Sequence, residues 1–431
     1  MAEQSGAGTS NLRKVVAAST IGTMIEWYDF FLYGFAAALV FNHLFFPNHD
    51  PLVGTLLAFG TYALGFVARP VGGIVFGHYG DRIGRKRLLM LSLIMMGVAT
   101  VLIGLLPTYE QIGIWAPILL IALRIIQGFA VGGEWGGAVL LAAEHGDARR
   151  RGFWASWPQA GVPLGLVLAS GVLAIISANQ SQEDFVAWGW RVPFLLSAVL
   201  VLVGWWIRIS IDESRTFKEA LAEAETPPKA PAMDVLRERP RALLVGAGLR
   251  VGENISYYII TVFSITYITE VSHLSRDTAL QAILIGSIVQ FFVIPLAARL
   301  SDSIGRRTVY AVGGLGLAAF SFVFFDMLGG SWATIVAAIT IGLVLHGAMY
   351  GPQAAFIAEL FPTRYRYSGA SMAYQLTAIF AGSLAPIIAV FLYREYGSAF
   401  WVAVYVGIAC LISGVTALLA RETAGKELAD I

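Results

Sequence analysis

Long apolar segments constrain this chain more than any other feature. Twelve occur in its 431 residues, and each is long enough to cross a bilayer as a helix, which takes about 20 apolar residues. Short polar segments separate them. We therefore predict an all-α membrane protein with twelve transmembrane helices. The predicted spans are residues 14–40, 52–77, 87–106, 115–142, 153–177, 191–209, 241–269, 278–298, 308–327, 331–358, 368–393 and 398–420.

The composition is that of a chain that lies mostly in lipid. Hydrophobic residues make up 57% of the sequence and charged residues 13%, whereas about a quarter of a soluble protein is charged. The net charge of +1 gives no overall field that attracts nucleic acid, so we expect no nucleic-acid partner. The single cysteine, Cys410, lies within a predicted span, which excludes a disulfide within the chain and a cysteine-based metal site.

Basic residues are distributed unevenly across the predicted membrane. When the N-terminus is placed inside, 23 of the 29 lysine and arginine residues fall in inner segments and three in outer segments. Cytoplasmic loops carry an excess of these residues, and one missed helix would invert every later loop. The distribution therefore supports twelve spans and predicts that both termini are cytoplasmic.

An internal repeat divides the chain into two halves. The charged segment GHYGDRIGRKR, from Gly77 to Arg87, returns 221 residues later as ARLSDSIGRR, from Ala298 to Arg307. Both copies join two apolar runs at the same place in their half, which is typical of a transporter built by duplication. The predicted domains are a cytoplasmic tail (1–13), an N-terminal six-helix bundle (14–210), a cytoplasmic central loop (211–240), a C-terminal six-helix bundle (241–420) and a second cytoplasmic tail (421–431).

Several motifs resemble those of a known group of membrane proteins. Twelve spans, the G-x-x-x-D-R-x-G-R-K-R segment and its weaker copy resemble the major facilitator superfamily. Further segments are similar to its metabolite:H⁺ symporter family, namely EWYDFFLYG (26–34), RIIQG (124–128), GGEWGG (132–137), GWRVPF (189–194) and ELFPTRYRYSG (359–369). The resemblance covers nearly the whole chain. It implies two pseudo-symmetric six-helix bundles in a bacterial inner membrane, and cargo such as shikimate, 2-oxoglutarate, citrate, proline or betaine.

The charged repeat predicts a gate at the cytoplasmic ends of the helices. Its glycines permit a tight turn and close helix approach, and the resemblance implies that its acidic and basic residues hold this end closed. The alternative is that the basic residues only anchor the loops. The predicted gating residues are Gly77, Gly80, Asp81, Arg82, Gly84, Arg85, Glu144, Asp302, Gly305, Arg306, Glu359 and Arg366. Because Ala298, Ser301 and Ser303 replace Gly77, Gly80 and Arg82, we expect the C-terminal latch to be the weaker one.

Few ionisable residues lie within the predicted spans. Placing one near the bilayer centre costs about 2.5–3.5 kcal/mol, so each is expected to be paired or to face a wet cavity. They occur on spans 1, 4, 7 and 10, which would line one cavity in a protein of nested repeats. An exception is Arg69 on span 2, which we place near the inner surface, where its side chain can reach the lipid headgroups. The alternative for Arg69 is a role in gating.

These buried charges suggest two roles. A carboxylate in the middle of the bilayer is poorly solvated and can carry a proton at neutral pH, and arginine offers a planar fork to a carboxylate. The predicted proton-coupling residues are Glu26, Asp29 and His346. The predicted substrate-binding residues are Tyr33, Arg124, Gln127, Arg250, Glu253, Asn254 and Tyr257. The alternative is a set of structural pairs, such as Glu26 with Arg124 and Arg250 with Glu253, and a core role for His346.

The sequence therefore predicts a monomeric secondary transporter that imports a small organic acid with protons. No metal and no cofactor besides the proton is expected, and the sequence has no G-x-x-x-x-G-K-[ST] nucleotide-binding motif. A symporter of zwitterionic osmolytes such as proline or betaine remains the alternative. A membrane enzyme is disfavoured because His43, His49 and His78 do not cluster in the sequence.

Overall fold

The computed structural model describes residues 2–47, 51–209 and 231–426, and within them the chain forms helices and no strand. Twelve long helices carry these residues. They are α1 (Ala2–Ala36), α2 (Pro51–Ile83), α3 (Arg85–Leu105), α4 (Trp115–His145), α5 (Arg151–Ala178), α6 (Arg191–Ile209), α7 (Pro240–Tyr258), α8 (Arg276–Ile304), α9 (Arg306–Leu328), α10 (Trp332–Ala358), α11 (Arg366–Gln375, resuming at Leu384–Tyr396) and α12 (Phe400–Leu419). The predicted all-α fold is confirmed.

Eight helices in the described ranges are long and apolar enough to cross a membrane. The other four long helices are α1, α2, α5 and α7. Two of these carry buried charges that lower their hydropathy, namely Glu26 and Asp29 on α1 and Arg250 and Glu253 on α7. A helix that is covered by its neighbours does not need an apolar surface, because its polar face never meets lipid.

Helix packing repeats between the two halves. In the N-terminal half α2 packs on α4, α1 on α5, and α3 on α6. The corresponding pairs six helices later are α8 with α10, α7 with α11, and α9 with α12, and all three are in contact. The two bundles therefore share one arrangement, as the internal sequence repeat predicts. They meet where α5 packs on α8 and α10, and where α11 packs on α2 and α4.

The charged repeat forms two sharp turns of the same shape. Gly84 separates α2 from α3 with φ 103° and ψ 149°, and Gly305 separates α8 from α9 with φ 101° and ψ 146°. A side chain would clash in this region of positive φ, which makes glycine the suitable residue. The predicted eleven-residue hinge is thus mostly helical, with one glycine as its corner. We call the end of the bundles that carries Gly84 and Gly305 the charged end.

Two parts of the domain prediction differ in detail from the structure. The predicted tail at residues 1–13 is not separate, because α1 begins at Ala2. Within the predicted central loop, Pro231–Glu238 forms a short helix that contacts both α2 and α11. The rest of that loop (211–230) and the last five residues of the second tail (427–431) lie outside the described residues.

Glycines bring α2 and α4 into backbone contact. A Cβ atom on Gly128 would lie 2.0 Å from the carbonyl oxygen of Gly65, and one on Gly132 would lie 2.1 Å from that of Arg69. Backbone atoms cannot move aside as a flexible side chain can. Larger residues at these positions would therefore separate the two helices that carry much of the site described below.

We expect Gly128→Val to lower the free energy of unfolding by about 3 kcal/mol, because overpacking against backbone lies at the costly end of such changes. The measurement is the thermal unfolding midpoint of purified protein in detergent. Gly60→Val is the matched control, since a Cβ atom on Gly60 in the same helix pair meets nothing within 4 Å. Equal midpoints for the two variants would contradict the proposed contact.

Candidate functional site

A small buried cavity lies among α1, α2, α3 and α4. Its polar lining consists of Glu26, Asp29, Arg69, Arg124 and Gln127. The cavity volume is about 10 Å³, which is room for about one water molecule. In this conformation the site is therefore closed around its own side chains.

Asp29 is 1% exposed and accepts two hydroxyl hydrogen bonds. Thr100 on α3 donates to Oδ2 over 2.8 Å, and Ser197 on α6 donates to Oδ1 over 2.6 Å. Among the described residues no basic side chain forms a salt bridge with this carboxylate. Asp29 can therefore gain or lose a proton without breaking an ion pair.

The Thr100 hydroxyl can satisfy both protonation states of Asp29. It has a single proton and two acceptors within reach, since the carbonyl oxygen of Met96 is 2.9 Å away. When Asp29 is ionised, Thr100 donates to it. When Asp29 carries a proton, Asp29 can donate to Thr100, whose own proton then turns to Met96. Neither state leaves a buried partner unsatisfied.

A chain of hydrogen bonds links this carboxylate to a guanidinium. Gln127 donates from Nε2 to the Thr100 hydroxyl over 2.7 Å. In turn, the Gln127 Oε1 accepts from Arg124 Nη1 over 3.2 Å. The order is therefore Arg124, Gln127, Thr100, Asp29. Two predicted substrate-binding residues thus connect through Thr100 to a predicted proton-coupling residue.

Aromatic rings surround the two arginines of the cavity. The Cζ atom of Arg124 lies 4.2 Å from the centre of the Tyr33 ring and 4.8 Å from that of Tyr62. The Cζ atom of Arg69 lies 4.5 Å from the ring centres of both Phe30 and Phe66. Cation–π attraction of this kind stabilises a buried guanidinium. The expectation that Arg69 reaches the membrane surface is not met, because it is 5% exposed in the cavity wall.

A second cavity of about 10 Å³ lies in the C-terminal half. Its lining includes Arg250, Glu253, Asn254 and Tyr257 on α7 and His346 on α10. Arg250 forms a salt bridge with Glu253 one turn along the same helix. Arg250 and Arg124 therefore line different cavities, and the in-helix pair considered from the sequence is the arrangement present.

His346 completes a buried chain with Glu253. Its Nε2 lies 2.9 Å from Glu253 Oε1, and its Nδ1 lies 2.7 Å from the amide nitrogen of Gln290. The amide oxygen of Gln290 is buried and has no hydrogen-bond partner. If the Gln290 amide rotates by half a turn, its oxygen faces Nδ1 and can accept a proton bound there. Both ring nitrogens of His346 would then face a hydrogen-bond acceptor, Glu253 at Nε2 and Gln290 at Nδ1.

The two predicted binding tyrosines lie in different places. Tyr257 has a buried hydroxyl with no hydrogen-bond partner, and its ring centre lies 6.4 Å from that of Trp27. Trp27 lines the C-terminal cavity although it belongs to α1 of the N-terminal half. Tyr33 instead shares a 2.6 Å hydrogen bond with Thr61, so it supports the wall of the N-terminal cavity.

At the charged end, Asp302 of α8 caps the first turn of α5. Its two carboxylate oxygens accept from the backbone N–H groups of Gly152 and Phe153 over 2.8 and 2.9 Å. The helix dipole favours a negative charge at this position. The contact joins the two halves, and Arg306 holds Asp302 in place with a salt bridge of 2.6 Å.

Glu359 lies at the centre of the same cluster. Arg151 of the N-terminal half donates to its carboxylate over 2.8 Å, and Arg306 of the C-terminal half lies 3.3 Å from it. All three side chains are at most 2% exposed. The C-terminal latch, expected to be the weaker one, is thus a buried network in which one carboxylate binds arginines from both halves.

The tail after α12 crosses this cluster. The Glu422 carboxylate accepts from the backbone N–H groups of Arg306 and Arg307 at the start of α9. Burial alone would raise the pKa of Glu422, but these and neighbouring backbone donors lower it overall. Thr423 donates to Glu359 over 2.5 Å, and the Lys426 carbonyl accepts from Arg151 over 2.9 Å. We call residues 422–426 the tail strap.

The N-terminal copy of the repeat meets α11. A Cβ atom on Gly80 would lie 2.1 Å from the Tyr367 ring, and one on Gly77 would lie 2.8 Å from the Cα atom of Ser368. The Tyr367 hydroxyl donates to the Gly133 carbonyl over 2.5 Å. These glycines therefore allow α2 of the N-terminal half to touch α11 of the C-terminal half, and this contact closes the charged end between those two helices.

Of the other predicted gating residues, some join the two halves and one is exposed at the surface. Glu144 and Arg366 form a buried salt bridge of 3.4 Å between the halves. Arg82 is exposed and lies 3.4 Å from His78 on its own helix. The side chains of Asp81 and Arg85 lie outside the described part of the structure.

Comparisons with known proteins agree with this architecture. A family model described as Major Facilitator Superfamily matches residues 19–380 and 256–430. The chain belongs to the major facilitator superfamily. It is 42% identical to the shikimate transporter of Escherichia coli (strain K12), over 96% of this chain and 95% of that protein. It is 34% identical to the proline/betaine transporter of Salmonella typhimurium, over 97% of this chain and 85% of that one.

A solved structure shows the same fold. A major facilitator proton:xylose symporter bound to 6-bromo-6-deoxy-D-glucose superposes with a TM-score of 0.77, at 18% identity, over 98% of each chain. The protein is accordingly an integral membrane transporter and not an enzyme. The described ranges contain no group of three or more histidine, cysteine, aspartate or glutamate side chains that could hold a metal ion.

Sequence reasoning missed several side chains of this major facilitator protein. The sequence places Arg69 near the membrane surface, and the hydroxyls of Thr100 and Ser197 are absent from the predicted set. A usable signal was present, since α3 and α6 carry these hydroxyls within otherwise apolar segments. A hydroxyl in such a segment needs an acceptor, and Asp29 is one.

Proposed function

We propose that the protein is a proton-coupled symporter that takes up a small organic acid by alternating access. In this proposal it works as a monomer in the bacterial inner membrane, with the charged end and both termini facing the cytoplasm. The excess of basic residues at that end supports the orientation. Protons are the coupling ion, and a small organic acid anion is the cargo.

The observation that carries the proposal is the environment of Asp29. A buried carboxylate bound by two hydroxyls, without an ion pair, has the chemistry of a reversible proton site. Its link through Thr100 and Gln127 to Arg124 connects proton binding to a group that can hold a carboxylate. Glu26 lines the same cavity, and His346 offers a further proton site in the other half.

The contacts at the charged end support alternating access. Glu359, Asp302 and Tyr367 hold the halves together there, and the cavities are too small to contain an organic acid. Cargo can enter only when the halves move apart. In the proposed cycle the latch holds the cytoplasmic side closed while the outer side opens, and it breaks when cargo is released inward.

Zwitterionic osmolytes remain the second candidate because the relative at 34% identity is named a proline/betaine transporter. A quaternary ammonium group is usually held by the faces of aromatic rings. In the N-terminal cavity the rings of Phe30, Phe66 and Tyr33 already contact guanidinium groups. This favours an organic acid without a fixed positive charge.

A binding and uptake experiment tests the proposal. The thermal midpoint of the purified protein is measured with shikimate, 2-oxoglutarate, proline and betaine, since a ligand at 100 times its Kd stabilises by about 2.7 kcal/mol. The compound that stabilises most is then followed into proteoliposomes under an inward proton gradient. We expect stabilisation by an organic acid, and accumulation that a protonophore abolishes. Stabilisation by betaine and by neither acid anion would overturn the organic-acid assignment.

A further inference from the structure

The N-terminal cavity contains two buried guanidinium groups, and neither is neutralised by an ion pair that the structure resolves. Arg124 is 3% exposed and Arg69 is 5% exposed. In each of them the Nε atom is buried and has no hydrogen-bond partner. Leaving a charged donor unsatisfied inside a protein is costly, so such donors indicate a site for an acceptor that arrives later.

The surroundings keep both groups in place. The ring of Phe30 lies 4.5 Å from the Cζ atom of Arg69 and 5.2 Å from that of Arg124, so one ring contacts both cations. Gly65 lets the Arg124 guanidinium lie against the α2 backbone, since a Cβ atom there would be 2.6 Å from its Nε. Two like charges on one ring repel each other, and an anion between them would relieve this repulsion.

The other half does not offer an equivalent site. Arg250 is already bound to the Glu253 carboxylate, which also accepts from His346. A substrate anion there would have to displace a carboxylate of the protein. The two arginines of the N-terminal cavity therefore provide the better anion site.

The charges that line the cavity balance. Arg69 and Arg124 contribute two positive charges, and Glu26 and Asp29 contribute two negative charges when both are ionised. The other titratable side chains in contact are tyrosines, namely Tyr33 on α1, Tyr62 on α2 and Tyr258 on α7. An anion that enters alone would leave a net negative charge in a medium of low dielectric constant. One proton per negative charge restores neutrality.

We propose that Arg69 and Arg124 together bind the carboxylate of the substrate, and that the cavity takes up one proton for each negative charge of that anion. The ligand class is a small carboxylate anion without a fixed positive charge, and transport moves no net charge. This inference rests on the proposed function, since it specifies the anion site of the same symporter. It makes Arg69 a substrate-binding residue.

The test uses the full-length protein with shikimate as the probe. Its binding is measured by isothermal titration in detergent for the wild type, Arg69→Gln and Arg69→Lys. We expect Kd to rise about 100-fold in Arg69→Gln and about 10-fold in Arg69→Lys, because lysine keeps the charge but loses the planar fork. Arg299→Gln, which removes an exposed arginine on α8, is the matched control and should bind as the wild type does. The thermal midpoint of each variant shows whether it is folded.

Charge balance is tested in proteoliposomes whose membrane potential is clamped with valinomycin and potassium. We expect the initial rate of shikimate uptake driven by a proton gradient to differ less than twofold between membrane potentials of 0 and −100 mV. If Arg69→Gln binds shikimate as tightly as the wild type does, the proposed anion site is wrong. If the uptake rate rises severalfold at −100 mV, the proposed charge balance is wrong. Either result leaves proton-coupled uptake standing. If the wild type neither binds shikimate nor accumulates it, the organic-acid proposal for this cargo fails, and the anion site fails with it.

Discussion

Asp29→Asn should abolish accumulation driven by a proton gradient while leaving exchange of substrate largely intact. One proton per substrate and a gradient of two pH units support about 100-fold accumulation, since each pH unit is worth about 1.36 kcal/mol. Asparagine keeps the size of the side chain and its contacts with Thr100 and Ser197, but it cannot bind a proton. We therefore expect the accumulation ratio in proteoliposomes to fall from about 100 to about 1.

Exchange separates coupling from binding in the same variant. With equal substrate and equal pH on both sides no net proton movement is needed, so counterflow should stay within about threefold of the wild type. Asp326→Asn, at an exposed carboxylate on α9, is the matched control and should accumulate normally. If Asp29→Asn accumulates substrate and Glu26→Gln does not, the proton site is Glu26 and the role given to Thr100 is wrong.

Glu359→Gln should shift the protein towards the conformation that is open at the charged end. The change leaves Arg151 without its carboxylate partner and removes one of two from Arg306, and breaking a buried ion pair costs about 3–5 kcal/mol. That cost destabilises only the closed state, in which the halves lie together. The ratio of closed to open molecules should therefore fall by about 100-fold or more.

Spin labels can measure this shift. The exposed positions Tyr79 on α2 and Ser303 on α8 lie at the charged end of opposite halves, and the native Cys410 is fully buried. In the variant carrying Tyr79→Cys and Ser303→Cys, Glu359→Gln should move the distance distribution to longer values. Glu238→Gln is the control, because the Glu238–Arg364 pair is about half exposed and such pairs contribute at most about 1 kcal/mol. An unchanged distribution in Glu359→Gln would show that the cluster is not a latch.

The twelve-helix fold could be predicted because lipid imposes a simple rule on sequence. A segment that crosses the membrane against lipid must be long and apolar. The two copies of the charged repeat then show which helix of one half corresponds to which helix of the other. Even the matching turns at Gly84 and Gly305 follow from the two copies of the motif. The candidate charges on α1, α4, α7 and α10 were also found from the sequence, since a buried ionisable residue in an apolar run is conspicuous.

The partners of those charges could not be predicted. Whether Arg250 binds Glu253 or a substrate depends on side-chain geometry within one turn of α7, which the residue spacing leaves open. The role of Arg69 depends on how far α2 extends and which face meets α4, and both are set by glycine packing between the helices. The relative strength of the two latches stays a prediction, because the two copies of the motif acquire different partners, one from α11 and the other from α5.

The tail strap gives the C-terminal segment of the chain an influence on conformational populations. Its bond to Glu359 lies within the C-terminal half, but its bond to Arg151 joins that half to α5. The second bond forms only while the halves lie together at the charged end, so it stabilises the closed arrangement alone. Anything that draws residues 422–426 away would favour opening at the charged end by the free energy that this bond contributes. The balance of states, and with it the rate of transport, can thus be adjusted by a segment that lines neither cavity.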